Sequence, residues 1–202
     1  MMHINVGDFI TMTAILFFAI VILVVLVAFY NMYVSLIKKR NKVKEAMGGI
    51  DVQLNKRYSL IPNILTIAER FMEHEKELFS GITELRTRAA SLKATDDTIQ
   101  EKIKLDNEIS SKMSQLLVNV ENYPQLKSDQ TMVQAMQTYA EVEEHIAAAR
   151  RFYNSAVNDL NNSTEIFPSS LVAGMIGIKS YPFFEASDET KKEINASDYL
   201  KK

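Results

Sequence analysis

"RYSLIPNILTIAERF" (residues 57–71) reads as an amphipathic helix with a proline at its centre. A proline inside a helix removes one backbone hydrogen bond and crowds the carbonyl four residues back, so Pro62 either separates two helices or bends one that carries on. Register decides between the two. Apolar residues recur at Val43, Met47, Ile50, Leu54, Tyr58, Ile61, Leu65, Ala68 and Met72 in steps of three and four, and the stripe keeps its phase across the proline. A turn there would leave the two registers unrelated, so the spacing predicts one helix over residues 38–72, kinked at Pro62. The ring frees the Tyr58 carbonyl, and Ser59 or Asn63 stands near enough to solvate it. Gly48 and Gly49 each lower helix propensity by about 1 kcal/mol, which marks a flexible neck early in this helix.

Upstream, no charged side chain occurs from Phe9 to Ile37, and "AILFFAIVILVVLVAF" (14–29) is aliphatic or aromatic throughout. Such a run is long enough for a helix to cross the ~30 Å hydrocarbon core of a bilayer. A buried core helix would need a larger body to surround it. A cleaved signal peptide would need a basic leader and a small-residue cleavage site, and neither is present. Orientation follows from the flanks: the leader carries Asp8 and no lysine or arginine, whereas Lys38, Lys39, Arg40, Lys42 and Lys44 follow the run. The positive flank stays in the cytoplasm, which predicts a single-pass protein of the cell membrane with its N-terminus outside. The same five cations can touch anionic lipid headgroups, each worth about 1 kcal/mol near the surface.

Downstream, Leu78, Ile82, Leu85, Ala89 and Leu92 predict a second helix over 74–93, and "KATDDT" a loop with Asp97 as the N-cap of a third. That third helix, over 98–122, has a less regular stripe (Ile99, Ile103, Ile109, Met113, Leu116, Leu117, Val120) and is closed by Pro124. The fourth, over 129–165, alternates threes and fours from Met132 through Tyr139, Val142, Ile146, Tyr153 and Leu160, the period of helix-bundle packing. Short connections favour antiparallel neighbours. The expected fold is therefore all-α: an N-terminal transmembrane helix followed by an antiparallel four-helix up-down bundle. Its parts are a leader (1–8), the span and its extension (9–37), the cytoplasmic bundle (38–165), an apolar segment (166–186) and a polar, disordered tail (187–202).

Four antiparallel helices return the chain to the membrane it left. There stands "FPSSLVAGMIGIKSYPFF" (167–184), too short in apolar residues for a second crossing and interrupted by Pro168, Gly174, Gly177 and Pro182. Two placements are open. The segment dips into the lipid interface through Leu171, Val172, Met175, Ile176, Phe183 and Phe184, or it plugs the end of the bundle.

Chemistry is mostly excluded. The chain has no cysteine, hence no disulfide, thiolate nucleophile or Cys-ligated metal. His74 and His145 lack the Glu-x-x-His context of a di-metal bundle and read as surface or cap residues. There is no Gly-rich phosphate loop, and the near balance of 23 basic and 25 acidic residues gives no reason to expect nucleic acid. No enzymatic activity, cofactor or metal is expected. One polar constellation stands out: Arg57 beside the first stripe, and Glu143, Arg150 and Asn154 beside the last, can meet across an antiparallel pair. It reads either as flank salt bridges, worth under about 1 kcal/mol each if exposed, or as a partner or ligand site at mid-bundle.

"DVQLNKRYSLIPN" (51–63), "ARRFYN" (149–154) and the "FPS…FFEA" ending (167–186) together resemble the LemA family of bacterial membrane-anchored proteins, and the likeness runs from Tyr30 onward. The family usually has Trp-Ser-Asp where this chain has Met47, Gly48 and Gly49. The resemblance implies one span, an external N-terminus, a cytoplasmic helical body and no established enzymatic activity. It also implies partners: LemA-like genes often accompany membrane metalloproteases of the heat-shock type, and relatives occur among proteins that shape magnetosome membranes. The first functional expectation is a scaffold or adaptor, linked to membrane-protein quality control or envelope stress. The second is membrane remodelling or lipid sensing through the basic collar and the apolar C-terminal segment. Membrane lipids are expected partners in both, and self-association is left open.

Overall fold

The computed structural model describes residues 6–184, so the first leader residues and the polar tail lie outside the described residues. Every regular element within that range is a helix: α1 (Val6–Ala68), α2 (Lys76–Ser91), α3 (Ile99–Val120), α4 (Pro124–Lys127), α5 (Gln130–Glu165) and α6 (Ser169–Met175). The chain divides into two compact units. One takes residues 6–42 together with Asn158–Ser180, and the other takes Val43–Val157 and residues 181–184.

The first unit holds the apolar part of α1. From Ile10 to Phe29 its side chains are exposed throughout, as expected of a helix whose solvent is lipid rather than water. α1 is long and apolar enough to cross a membrane. The end of α5 runs antiparallel beside α1 in this unit: Lys42 pairs with Asp159 at 3.5 Å, and one turn further along α5 Ser163 accepts a hydrogen bond from Lys39. α6 follows, stopped by a left-handed backbone turn that glycine accommodates without strain. Gly177 has φ +69°, the Ile178 N–H donates to the Ala173 carbonyl at 3.0 Å, and the Gly177 N–H donates to Gly174 at 3.3 Å. These two bonds are the Schellman pattern, with buried Ile178 and Ala173 supplying its apolar contact.

In the second unit α1 continues through Gly48, Gly49 and Pro62 without a break and stops at Ala68, four residues short of the expected end. The glycines are exposed and helical, so the expected neck is regular helix. The carbonyl that Pro62 leaves without its helical donor is satisfied from another element: Arg86 of α2 donates Nε–H to the Tyr58 oxygen at 2.9 Å. Ser59 does not do this work, because its hydroxyl bonds back to Asn55. Pro124 was expected to close the third helix, but it occupies the first turn of α4, where a missing N–H costs nothing. Thr98, not Asp97, is the N-cap of α3, and its hydroxyl accepts the Thr95 N–H instead of capping the helix. The core of this unit gathers Leu54, Tyr58, Ile61 and Ile64 from α1, Ile82 from α2, Ile99, Ile109 and Leu116 from α3, and Ile146 and Tyr153 from α5, all buried.

Candidate functional site: a buried ionic cluster

Arg57 sits on the buried face of α1, one residue before the stripe position Tyr58. Helical geometry carries the guanidinium toward α3 and α5, where Nη1 donates to Ser110 and Glu143, both at 3.0 Å, and Nη2 pairs with Asp106. Arg150 of α5 pairs with the second Asp106 oxygen. Arg57 and Asp106 are both 0% exposed. Two arginines and two carboxylates thus form a formally neutral group, and the buried carboxylate is held at both oxygens.

Tyr58 lies beside this group, its ring 5.8 Å from both the Arg57 guanidinium and the Lys102 ammonium. Burial pushes its hydroxyl up to about 12, against the opposing pull of Arg57. Tyr139, next to Arg57 and Glu143, is raised further by the same cause. Arg150 is lowered by burial and by the like charge of Arg57. Lys102, itself buried, pairs with Asp51 of α1 and donates to the Leu92 carbonyl at 2.6 Å. The cluster therefore ties α1, α3 and α5 together, and Lys102 adds the end of α2.

Three of the four residues singled out from sequence meet here: Arg57, Glu143 and Arg150. The fourth does not. Asn154 clamps the chain after α6, donating to the Phe184 carbonyl and accepting the Phe184 N–H, both at 2.8 Å. Tyr153 adds a bond to the Pro182 carbonyl at 3.0 Å, and its ring meets Phe184 edge-on at 5.5 Å. Arg57 is sealed from solvent, so the small worth of an exposed salt bridge does not apply to it. Sequence reasoning missed Asp106, Ser110, Lys102 and Arg86. A signal for the first existed: the α3 stripe skips from Ile103 to Ile109, and Asp106 fills the helical position between them.

The residues expected at the membrane divide. Lys38 is exposed and Arg40 half-buried, while Lys39, Lys42 and Lys44 already have partners in Ser163, Asp159 and Asp96. The Lys42 and Lys44 pairs are half-exposed and worth under about 1 kcal/mol, too weak to withhold these cations from headgroups. In the apolar segment Leu171, Met175 and Phe183 are exposed, Ile176 is half-buried, and Val172 and Phe184 are buried against protein. Val172 and Phe184 are thereby removed from the lipid-facing set. His74 and His145 are exposed, and among the described residues no cluster of histidines and carboxylates could hold a metal.

The second unit also carries an open cleft of about 890 Å³ between the end of α1 and one face of α2. Met72 and Phe79 form its floor, and Glu69, Glu73 and Glu84 with Lys76 and Arg88 line its rim. The profile of the LemA family matches residues 46–197. Protein LemA of Metamycoplasma hominis is 23% identical over 186 residues, which span 90% of this chain and 84% of that protein. The matched region takes in the ionic cluster, the cleft and the α6 segment alike, and the chain belongs to the LemA family.

Proposed function

We propose that this protein is a non-enzymatic, single-pass membrane adaptor that presents a cytoplasmic helical body to a protein partner. The observation that carries this reading is the closure of the ionic cluster. Its inner pair, Arg57 and Asp106, is removed from solvent and satisfied within the group, while Glu143 and Arg150 stay partly exposed at its edge, so the cluster acts as a girder between helices rather than as a site open to substrate. We read the body as an antiparallel four-helix up-down bundle. The bonds from Arg57 to Asp106 and Glu143, from Arg150 to Asp106 and from Arg86 to Tyr58 support it by linking α1, α2, α3 and α5. The positive flank of the apolar run supports a cytoplasmic body and an external N-terminus. The cleft beside α2, apolar beneath a charged rim, is the surface offered to the partner, and a membrane metalloprotease is the first to test.

Photocrosslinking in cells tests the reading. A photoreactive side chain at Ser80, Thr83 or Thr87, on the cleft, should yield a discrete adduct that the same group at Val133 does not. Equal labelling at all positions, or none at the cleft, would refute an adaptor acting through this surface. Protease added to intact cells should spare the body, and its digestion would reverse the topology.

A further inference from the structure

The turn into α6 and α6 itself leave a row of large apolar side chains outside the protein. Leu171 and Met175 stand at i and i+4 on one edge of α6 and are 62% and 74% exposed, and Ile166 and Phe167, in the turn that leads into it, are exposed as well. The opposite side of the same helix is satisfied by protein: Val172 and Ala173 are buried, and the Schellman turn at Gly177 fixes where the helix ends. The row is therefore presented by an anchored helix and is not a frayed end. A contiguous exposed apolar edge in water is costly, and the question is what covers it.

The partners of α1 within this unit answer it. Asp159 stands opposite Lys42 and Ser163 opposite Lys39, so α5 runs back along α1 toward the apolar run. Continuing that register puts Ile166 level with Ser35 and Leu36, within a turn of the basic collar. The uncharged stretch from Phe9 to Ile37 is about 43 Å of helix at ~1.5 Å per residue, whereas the hydrocarbon core is only ~30 Å thick. Its last turns therefore lie in the headgroup layer, where exposed Tyr30 and Tyr33 are the side chains such a layer favours.

We propose that Ile166, Phe167, Leu171 and Met175 form a second membrane contact, an interfacial foot inserted at the boundary between headgroups and acyl chains of the bilayer that α1 crosses. The proposal rests on the reading of α1 as a span. An apolar edge held at that depth, beside cations suited to anionic headgroups, matches how amphipathic segments lie in an interface. The occupant is lipid, because the row is continuous in depth with the end of the spanning run.

The absence of native cysteine makes the test direct. Full-length protein bearing one spin label, at Leu171→Cys, Met175→Cys, Leu23→Cys or Val118→Cys, is reconstituted in vesicles of mixed zwitterionic and anionic phospholipid. Accessibility to oxygen relative to a water-soluble nickel complex is then read at each site. The expected result is a several-fold higher ratio at 171 and 175 than at 118, approaching but not reaching that at 23. Water-like ratios at 171 and 175 with a lipid-like ratio at 23 would overturn the foot and leave the span intact. A water-like ratio at 23 would overturn both. Spin–spin broadening at 171 without lipid exposure would overturn it in favour of a second copy of the chain.

Discussion

The two units of this protein invert each other's surface. One displays hydrocarbon along α1 from Ile10 to Phe29 and along α6, while the other withdraws Arg57, Asp106 and Lys102 from solvent entirely. Each inversion names its own remedy. Exposed apolar side chains call for a solvent other than water, which lies outside the chain. Buried charges call for opposite charges, which must come from elsewhere within it. The apolar run therefore speaks of the protein's surroundings, and the cluster speaks of its internal order.

The largest expected effect falls on the buried side of this comparison. Asp106→Ala leaves two arginines with only the partly exposed Glu143 as counter-ion, and we expect a loss of about 3–5 kcal/mol in thermal or denaturant unfolding of the detergent-solubilised protein. Replacing Arg57, Asp106 and Arg150 together by Met, Leu and Met should recover most of that stability. Failure to recover would mean that the charges do more than neutralise one another. On the exposed side, Leu23→Asp places a charge near the middle of the span, which costs about 3 kcal/mol in membrane insertion. Glycosylation or protease mapping should show reduced insertion, and unchanged insertion would break the comparison at its other end.

A smaller effect isolates the proline. Arg86→Ala should cost about 1–3 kcal/mol, because it strips a charged donor from the buried Tyr58 carbonyl. In a Pro62→Ala background, where the backbone N–H of residue 62 can make that bond, the same substitution should cost measurably less. Additive losses in this double-mutant cycle would refute the assignment. The smallest effect is a titration. Tyr58 ionises near 12 in the folded protein, against about 10 in an unfolded chain, so the native state holds its proton more tightly. Its contribution is complete below pH ~10 and disappears as pH rises toward 12. Tyr58→Phe should flatten the alkaline fall of unfolding free energy measured across that window.

Much of the fold was legible because it is written locally. Unbroken phase across Pro62 told that α1 continues, since a stripe keeps register only along one helix. Arg57, Glu143 and Arg150 were legible as a group because each flanks an apolar stripe. Asp106 and Arg86 were not, because their roles depend on which helix stands opposite. The six-residue gap between Ile103 and Ile109 marked an irregularity in α3 without saying what faced it. Likewise the apolar ending was visible as apolar, but alternate sides of α6 are buried and exposed, and composition does not distinguish Val172 from Leu171.

By itself the sequence determined that the chain is helical, that one run can cross a bilayer, and that the charge beyond that run favours one side. Periodicity, length and charge are properties of neighbours along the chain, and they act before any folding. Only tertiary structure decided that Arg86 completes the hydrogen bonding of a helix that runs through a proline, that Asp106 neutralises two arginines, and which edge of α6 stays bare. Those outcomes depend on residues 28 to 53 positions apart and more being brought within hydrogen-bond reach, and no local pattern encodes such a meeting.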